Sequence, residues 1–529
     1  MKHSIRVKPT LIDRALYTLG YVRATHIKQA RTAFQSAMHS RLNSDWITSG
    51  ISADQELKTS LRVMRQRSRK LLNDNDYASG FANMIRNNVM GSNGIKLQVR
   101  VEDKNGELAD KTNQAIEDAF AVWGKKENCC ANGRMTWIDA QWLFVRSLLS
   151  DGEVFIQKRR GYPKSAHFFA LQFIDPDQVD HTLNKPRDFG VISGANGGTI
   201  ATSNEIRMGV EVDEDFRAVA YYVLKTHPSE PGPKSYIRVP AEDMIHAYMF
   251  RRANDTRGVP WLHTAMERLW NVQKFEESEL VATRIAAAKM GFFTSKTGED
   301  FQTEKKEDGT LEITVEPGSF QQLPEGVDFK PWDPQHPNVN QVEFVKLMIR
   351  AVAVGVGMSY NAFARDYEKV NFSSLRAATL EDRELYKCLQ KFCSEHFHED
   401  VYNAWLPMAI TSGELKLPTL AASNYTNVVW RPRGWPWVNP LQDAQAYALD
   451  LQNNISTLED TCAEQGSDWR EVLRQRAKEV ELTEQLGLST LIGTQKPKAP
   501  GSGSQPDGDL EAEGQPNEED EGKAGKEGK

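Results

Sequence analysis

Between Gln341 and Leu406 the apolar positions mark out a helix, a charged loop and a second, longer helix. In the first arm Phe344, Leu347, Met348, Ala351, Val352 and Gly355 recur at i, i+3, i+4, i+7, i+8 and i+11, which lays one apolar stripe along a helix. Gly355 and Gly357 are expected to stop that arm, because glycine takes the positive φ a helix end needs. A mixed-charge loop, Met358 to Phe372, follows with Arg365, Asp366, Tyr367, Glu368, Lys369 and Asn371. Ser373 or Ser374 is expected to cap the next helix, LRAATLEDRELYKCL in its first turns. A charged loop pinned between two long helices suits a segment that protrudes from a rigid frame.

The rest of the chain alternates between the two periods. Leu57 to Val89 reads as helix, with Gly91 and Gly94 beyond it, and Ile95–Val101 alternates as a strand before the hairpin-type turn Asn105-Gly106. Helices are expected over Thr112–Trp123 and Trp137–Ser150, then a turn at Asp151-Gly152-Glu153. Strands are expected at Val154–Lys158, Phe168–Ile174, Ile206–Val212, Ala218–Leu224 and Tyr236–Val239, with Asp213–Phe216 as a hairpin loop. A long helix starts after Pro260 with the stripe Leu262, Met266, Leu269 and Trp270, and runs to Gly291. Residues 292–340 are polar and Pro/Gly-rich, the pattern of a small projecting β insertion with a short strand at Leu311–Val315. Past Leu406, Trp430, Trp435 and Trp437 stand among prolines. Asn439, Pro440 and Gln442 then open a helix ended by Gly466, and Asp468 with Glu471 opens another that ends at Gly487. The pattern is α+β, without internal repeats.

Composition narrows the classes. The 529 residues are enough for several lobes, and the longest uncharged apolar run, Ala351–Met358, is far below the ~20 residues of a membrane-spanning helix. No secretion signal opens the chain, and five cysteines in this length point to a reducing cytoplasm. The net charge of −7 is unevenly spread: residues 1–41 carry eight Lys/Arg against Asp13, while 501–529 carry nine acids against three lysines, and 488–529 read as disordered. The body between is mildly acidic, unlike the basic footprint of a tight sequence-reading protein.

Catalytic chemistry is hard to find. No GxxxxGK[ST], HExxH or GxSxG is present, and Gly355-Val-Gly357 lacks the third glycine of a dinucleotide fingerprint. Cys388, Cys393, His396 and His398 fall about 140° apart around a helix at the widest steps, so they read as buried thiols and surface histidines rather than a zinc set. Adjacent Cys129 and Cys130 read as structural or free thiols. Asp175, Asp177 and Asp180 are the one set on which a metal-dependent nuclease or protease could be built, and Asp/Pro turn chemistry is the plainer reading. The Trp430–Trp437 cluster reads as a packed corner ahead of a base-stacking platform. We therefore expect no enzyme, no cofactor and no metal.

Several stretches fall together: Arg67–Gly94, Asp151-Gly152-Glu153, Gly209–Asp213 followed by Ala220-Tyr221-Tyr222, Pro240–His246, Arg257-Gly258-Val259-Pro260-Trp261, and Asn371–Arg376. In order and spacing this set resembles the lambda-type portal proteins of tailed bacteriophages over residues 57–440. The family usually has a glutamine shortly before its Arg-Gly-Val-Pro, and Asn254-Asp255-Thr256 stands there instead. The resemblance implies a ring, normally a dodecamer, at one capsid vertex. Double-stranded DNA would pass through it, and the terminase large subunit, head-completion proteins, capsid and scaffold would be its partners. It would be made in the host cytoplasm and end in the virion, without membrane contact. It also implies a map: a basic arm 1–56, wing 57–260, stem helix 261–291, clip 292–340, stem helix 341–357, tunnel loop 358–372, long helix and wing closure 373–438, crown 439–487 and acidic tail 488–529. Arg365, Asp366, Tyr367, Glu368, Lys369 and Asn371 would then face the channel. Arg365 and Lys369 are the residues for phosphate, with salt bridges to neighbouring subunits as the alternative. A capsid or scaffold protein is the further alternative.

Overall fold

A computed structural model describes residues 50–102, 108–187, 191–193, 199–201, 203–232, 234–287, 291–295, 327–331, 341–435 and 439–487. The basic arm up to residue 49, the Asn105-Gly106 turn, the strand expected at Leu311–Val315, Trp437 and the acidic tail lie outside the described residues. Two units result, one ending at Arg433 and one starting at Gly434.

The first unit opens with α1 (Ala53–Asp74) and α2 (Asp76–Val89). Periodicity predicted one helix here. Asn75 divides it: its backbone is extended, and its side chain accepts from the Ala78 N–H at 3.0 Å, capping the second helix. Then come β1 (Lys96–Val99), α3 (Asp110–Trp123) and α4 (Trp137–Asp151), the last started by a Thr136/Asp139 capping box and ended by Gly152 at φ 80.

The β region holds β2 (Glu153–Arg160), β3 (Phe169–Ile174), β4 (Val191–Ser193), β5 (Thr199–Ala201), β6 (Glu205–Arg207), β7 (Val210–Val212), β8 (Ala218–Leu224), β9 (Tyr236–Pro240) and β10 (Met244–Tyr248). One antiparallel sheet runs β10-β2-β3 and another β6-β7-β8-β9. The single strand expected at Ile206–Val212 is two, because Met208 (φ 44) and Gly209 (φ 84) turn the chain between them. The second sheet packs Val210, Val212, Tyr221 and Val223 on Phe155 and Ile174 of the first.

After a 3₁₀ turn at Trp261–Thr264 come α5 (Met266–Ala287), the antiparallel pair β11 (Gly291–Ser295) and β12 (Val327–Pro331), and α6 (Gln341–Val356). α7 (Tyr360–Ala364), α8 (Phe372–Cys393) and α9 (Glu399–Thr411) follow, with a π-turn at Ser394–His398 joining the last two. β13 (Val428–Arg431) returns to pair with β1, Trp430 opposite Leu97. Trp430 is buried with its ring centroid 4.9 Å from His398 and 6.0 Å from Phe120, so this tryptophan is packed core.

Three expectations for the long helices change. Leu262, Met266 and Leu269 are buried, but Trp270 is 45 % exposed. α6 buries Ile349, Val352, Ala353 and Val356, while Phe344 and Leu347 of the expected stripe are exposed; this helix is apolar on two sides. Gly355 sits inside the helix, and Gly357 at φ 78 is the stop. No helix among the described residues is long and apolar enough to cross a membrane.

The second unit is α10 (Pro440–Gln452), α11 (Leu458–Glu464) and α12 (Trp469–Gln485). The one helix expected up to Gly466 is broken at Asn454 (φ 57), and a Thr457/Asp460 capping box starts the next. Asp468 caps α12 by accepting from the Arg470 N–H at 2.8 Å.

Candidate functional site

The loop between α6 and α8 has a fixed base and an open tip. Ser359 donates its N–H (2.9 Å) and hydroxyl (2.6 Å) to the buried Asp382 carboxylate of α8. Its hydroxyl also caps α7, a short helix absent from the sequence reading. Phe363 of α7 is buried, with its ring centroid 5.8 Å from that of Phe81. Arg365 then takes a left-handed conformation (φ 54) and reverses the chain.

Asp366 is the clasp. Its carboxylate accepts from Lys346 Nζ at 3.0 Å, the Tyr360 hydroxyl at 2.9 Å and the Glu368 N–H at 3.2 Å. These bonds, Lys346 first, hold its pKa down to about 2. The Arg350 guanidinium lies over the Tyr360 ring at 5.1 Å. Glu368 is a looser neighbour, 3.9 Å from Lys346. Asn371, not Ser373 or Ser374, caps α8, accepting from the Ser374 N–H at 2.8 Å.

Arg365, Tyr367, Glu368, Lys369 and Asn371 are exposed, and Arg365 and Lys369 make no ion pair among the described residues. Such a tip offers two cations and an aromatic ring, with the Glu368 carboxylate between them, to a passing surface. Sequence reasoning missed Lys346 and Asp382, the residues that fix the loop. Lys346 carried a faint signal, since it stands with Glu343 and Arg350 in the narrow polar stripe of α6.

The motifs around Glu153 meet at a buried keystone. A Cβ on Gly152 would lie 2.0 Å from the Val259 carbonyl carbon, and one on Gly258 2.1 Å from the Gly152 oxygen, so the two backbones cross in contact. The fully buried Glu153 carboxylate accepts from Arg257 Nη2 (2.8 Å), the Gly258 N–H (3.0 Å), His246 Nε2 (2.9 Å) and Arg65 of α1. Burial, then the neighbouring Arg257 and Arg65, drive the His246 pKa well below its usual value. It is neutral and donates through Nε2. Arg257 also donates to the carbonyls of Val179, Met208 and Pro176.

Two of the three carboxylates considered for a metal, Asp175 and Asp177, are absorbed by this network. Arg69 donates to Asp175 and Asp177, each at 2.9 Å, and to Asp151 at 2.5 Å. Burial pushes the Asp177 carboxyl up, but Arg69 and Arg65 more than offset it and leave its pKa below the usual range. Asp180 is separate, accepting from the Thr182 hydroxyl (2.6 Å) and Tyr236 (2.7 Å). His227 lies close enough to Asp175 and Asp177 for a three-ligand cluster, but a guanidinium already supplies their positive charge. Cys393 and His398 are buried while Cys388 and His396 are exposed, so those four do not converge. Cys129 and Cys130 are buried free thiols, their sulfurs 3.8 Å apart.

Comparison with known proteins decides the family. The model of the lambda-family phage portal protein matches residues 39–390, about two-thirds of the chain. A probable portal protein of Halomonas phage phiHAP-1 is 31 % identical over 471 residues, covering 87 % of this chain and 88 % of its own. The chain belongs to the lambda family of phage portal proteins. Portal protein B of Escherichia phage lambda is 21 % identical over 489 residues, covering 84 % of this chain and 88 % of that protein. The portal protein of Escherichia phage N15 is 21 % identical over 482, with 82 % and 87 % covered. Among solved structures, a chain from the neck of an empty gene transfer agent particle, computed with C6 symmetry, is similar at a TM-score of 0.42 and 12 % identity. It covers 76 % of this chain and 93 % of that one. A chain from the native particle's neck, computed with C12 symmetry, gives 0.39 at 12 % identity, with 76 % and 93 % covered.

Portal proteins are structural connectors of the phage head and tail, virion components at the capsid vertex, and not enzymes. Membership sets aside the nuclease or protease alternative that Asp175, Asp177 and Asp180 had left open.

Proposed function

We propose that copies of this portal chain close into a ring, normally a dodecamer, whose channel passes double-stranded DNA during packaging and ejection. The ring docks the terminase large subunit and later the head-completion proteins, and contacts capsid and scaffold. On this reading 57–260 with 405–438 form the wing, α5 and α6 the stem, 292–340 the clip, 358–372 the tunnel loop and 439–487 the crown. The chain is made in the host cytoplasm and carried in the virion.

The observation that carries this reading is the loop tip: Arg365 and Lys369 stand exposed beside Tyr367 on a base clamped by Asp382 and Lys346. A channel must let duplex slide, so phosphate contacts have to be few and carry no sequence information. A strongly basic wall would hold the duplex by counterion release, whereas an acidic body with few cations at the constriction keeps it central.

Electron microscopy of the purified chain is expected to show rings with a central hole. Replacing Arg365 and Lys369 by alanine is expected to leave those rings intact and to lower DNA packaging or retention. A double variant that fails to assemble assigns the two cations to subunit contacts, and one that packages normally removes them from the channel.

A further inference from the structure

A groove of about 490 Å³ opens between the end of β10 and α8, lined by Tyr248, Phe250, Trp261, Cys388, Phe392 and His396 among others. Aromatic rings form much of its wall. The Tyr248 and Phe250 centroids are 4.7 Å apart, and on the α8 side those of Phe392 and His396 are 4.5 Å apart. Phe250 is 68 % exposed, so the groove offers apolar surface to a partner.

The described residues begin beside this groove. The segment 251–256 continues directly from its wall and holds the first turn of α1. Thr256 donates its N–H (3.0 Å) and hydroxyl (2.7 Å) to Asp54, and Arg252 pairs with Glu56 at 3.2 Å. The Tyr248 hydroxyl ties the wall to the same segment by donating to the Asp255 carbonyl at 2.6 Å. Arg252 is two residues from Phe250, at most about 7 Å along the chain. The residues that precede Gly50 therefore start at this corner. Leu42 stands eight residues before Gly50, a reach of up to ~28 Å.

The sequence of that arm suits the groove. Phe34, Met38, Leu42 and Trp46 recur at every fourth residue, the spacing that gathers apolar anchors on one side for a helix-in-groove contact. Arg31 and Arg41 accompany them against Asp45, and the arm as a whole is basic. The groove's α8 border has the opposite sign: residues 381–400 carry six acids against three Lys/Arg. Lys391 lies 3.7 Å from Glu395. Burial, then the neighbouring Glu395 and Asp400, push the Glu399 carboxyl above its usual range, so these carboxylates crowd one another. The nine acids of 501–529 would be repelled there, whereas the arm's cations are attracted. We propose that residues 34–47 of each chain occupy that chain's own groove, with Met38 and Leu42 against Phe250 and Phe392 and Arg41 toward Glu395. Arm and groove belong to one copy, so this contact stands apart from the ring reading.

The test uses the full chain carrying Met38→Cys or Leu42→Cys, one at a time, with the native Cys388, the exposed thiol of the five. Mild oxidation is expected to bridge the new cysteine to Cys388 within one chain. The product then runs as a monomer on a denaturing gel without reductant, and peptide mapping finds the bridge. A Cys388→Ser background is expected to remove it. Absence of the bridge from both variants overturns the proposal, and so does a bridge that runs as a dimer or ladder, which places the arm in a neighbour's groove. Alkylation of Cys388 gives a second reading without new cysteines. Met38→Asp with Leu42→Asp is expected to speed it about tenfold over the unsubstituted chain, and equal rates overturn the proposal. Dispersed chains and rings carry the same expectation, so failure here leaves the ring reading untouched.

Discussion

Arg257 closes on Glu153 with Nε 3.0 Å from both carboxylate oxygens and Nη2 2.8 Å from Oε1, and neither side chain is exposed. Arg65 adds a second buried guanidinium to the same carboxylate. Glu153→Gln keeps the shape and deletes the shared counter-ion, leaving two buried cations short of it. Breaking a buried pair in this way costs ~3–5 kcal/mol. Denaturant unfolding should register that loss. The exposed Arg160–Asp243 pair is the control, and Arg160→Gln should cost less than ~1 kcal/mol.

The crossing of Gly152 with Gly258 leaves no room for a methyl group. The atoms it would meet are backbone, 2.0 Å and 2.1 Å away, so no rotamer relieves the clash. Gly152→Ala and Gly258→Ala should each abolish soluble expression. Gly133, also left-handed (φ 62), has nothing within 4 Å, and Gly133→Ala should fold with a loss of ~1–2 kcal/mol, the cost of the backbone alone. Soluble yield and melting temperature distinguish the two cases.

His398 should make stability fall on mild acidification. It is fully buried, donates from Nδ1 to the Cys393 carbonyl at 2.8 Å, and burial pushes its pKa down to about 4. Unfolded histidine titrates near pH ~6.5. A base with a depressed folded pKa contributes stability that is complete above about 6.5 and lost as pH falls toward about 4, up to ~3 kcal/mol. Unfolding curves between pH 7.5 and pH 4.5, both values chosen to span that window, should diverge between wild type and His398→Gln. The variant lacks this part of the slope; equal slopes would exclude His398 as the group.

Where local chemistry decides, the sequence was readable. Ala218–Leu224 is an apolar run bounded by turn residues and is a strand of those bounds, and Asp213–Phe216 is its hairpin loop. The motifs carrying the family resemblance were also visible, and two of them prove to be the halves of the Glu153 keystone. The failures share a cause. Asn75 and Asn371 act as caps through side-chain bonds that periodicity ignores. α6 is apolar on two sides, so spacing alone could not choose its buried face, and a stripe that includes the exposed Phe344 and Leu347 was drawn. The loop's charges were legible as a cluster. Its clasp was not, because Lys346 lies twenty residues before Asp366 and reaches it only when α6 packs beside the loop.

That clasp makes the loop's order a matter of one carboxylate. Lys346, the Glu368 N–H and Tyr360 hold the Asp366 pKa at about 2, so its contribution is complete above the ordinary carboxylate value near ~3.9 and is lost as pH falls through about 2. Lys346→Ala removes the first of these donors at neutral pH, and the Asp366 pKa should rise toward the ordinary range. The tip, already turned through the left-handed Arg365, then loses its anchor to α6. Trypsin cleaves after Arg365 and Lys369, so cleavage there should quicken severalfold in Lys346→Ala relative to wild type. Tyr360→Phe removes one neutral donor and should give a smaller increase. Glu368→Gln should give none, since that carboxylate is exposed and 3.9 Å from Lys346. Equal cleavage in Lys346→Ala and wild type would mean that Asp382 and Phe363 hold the loop without the clasp.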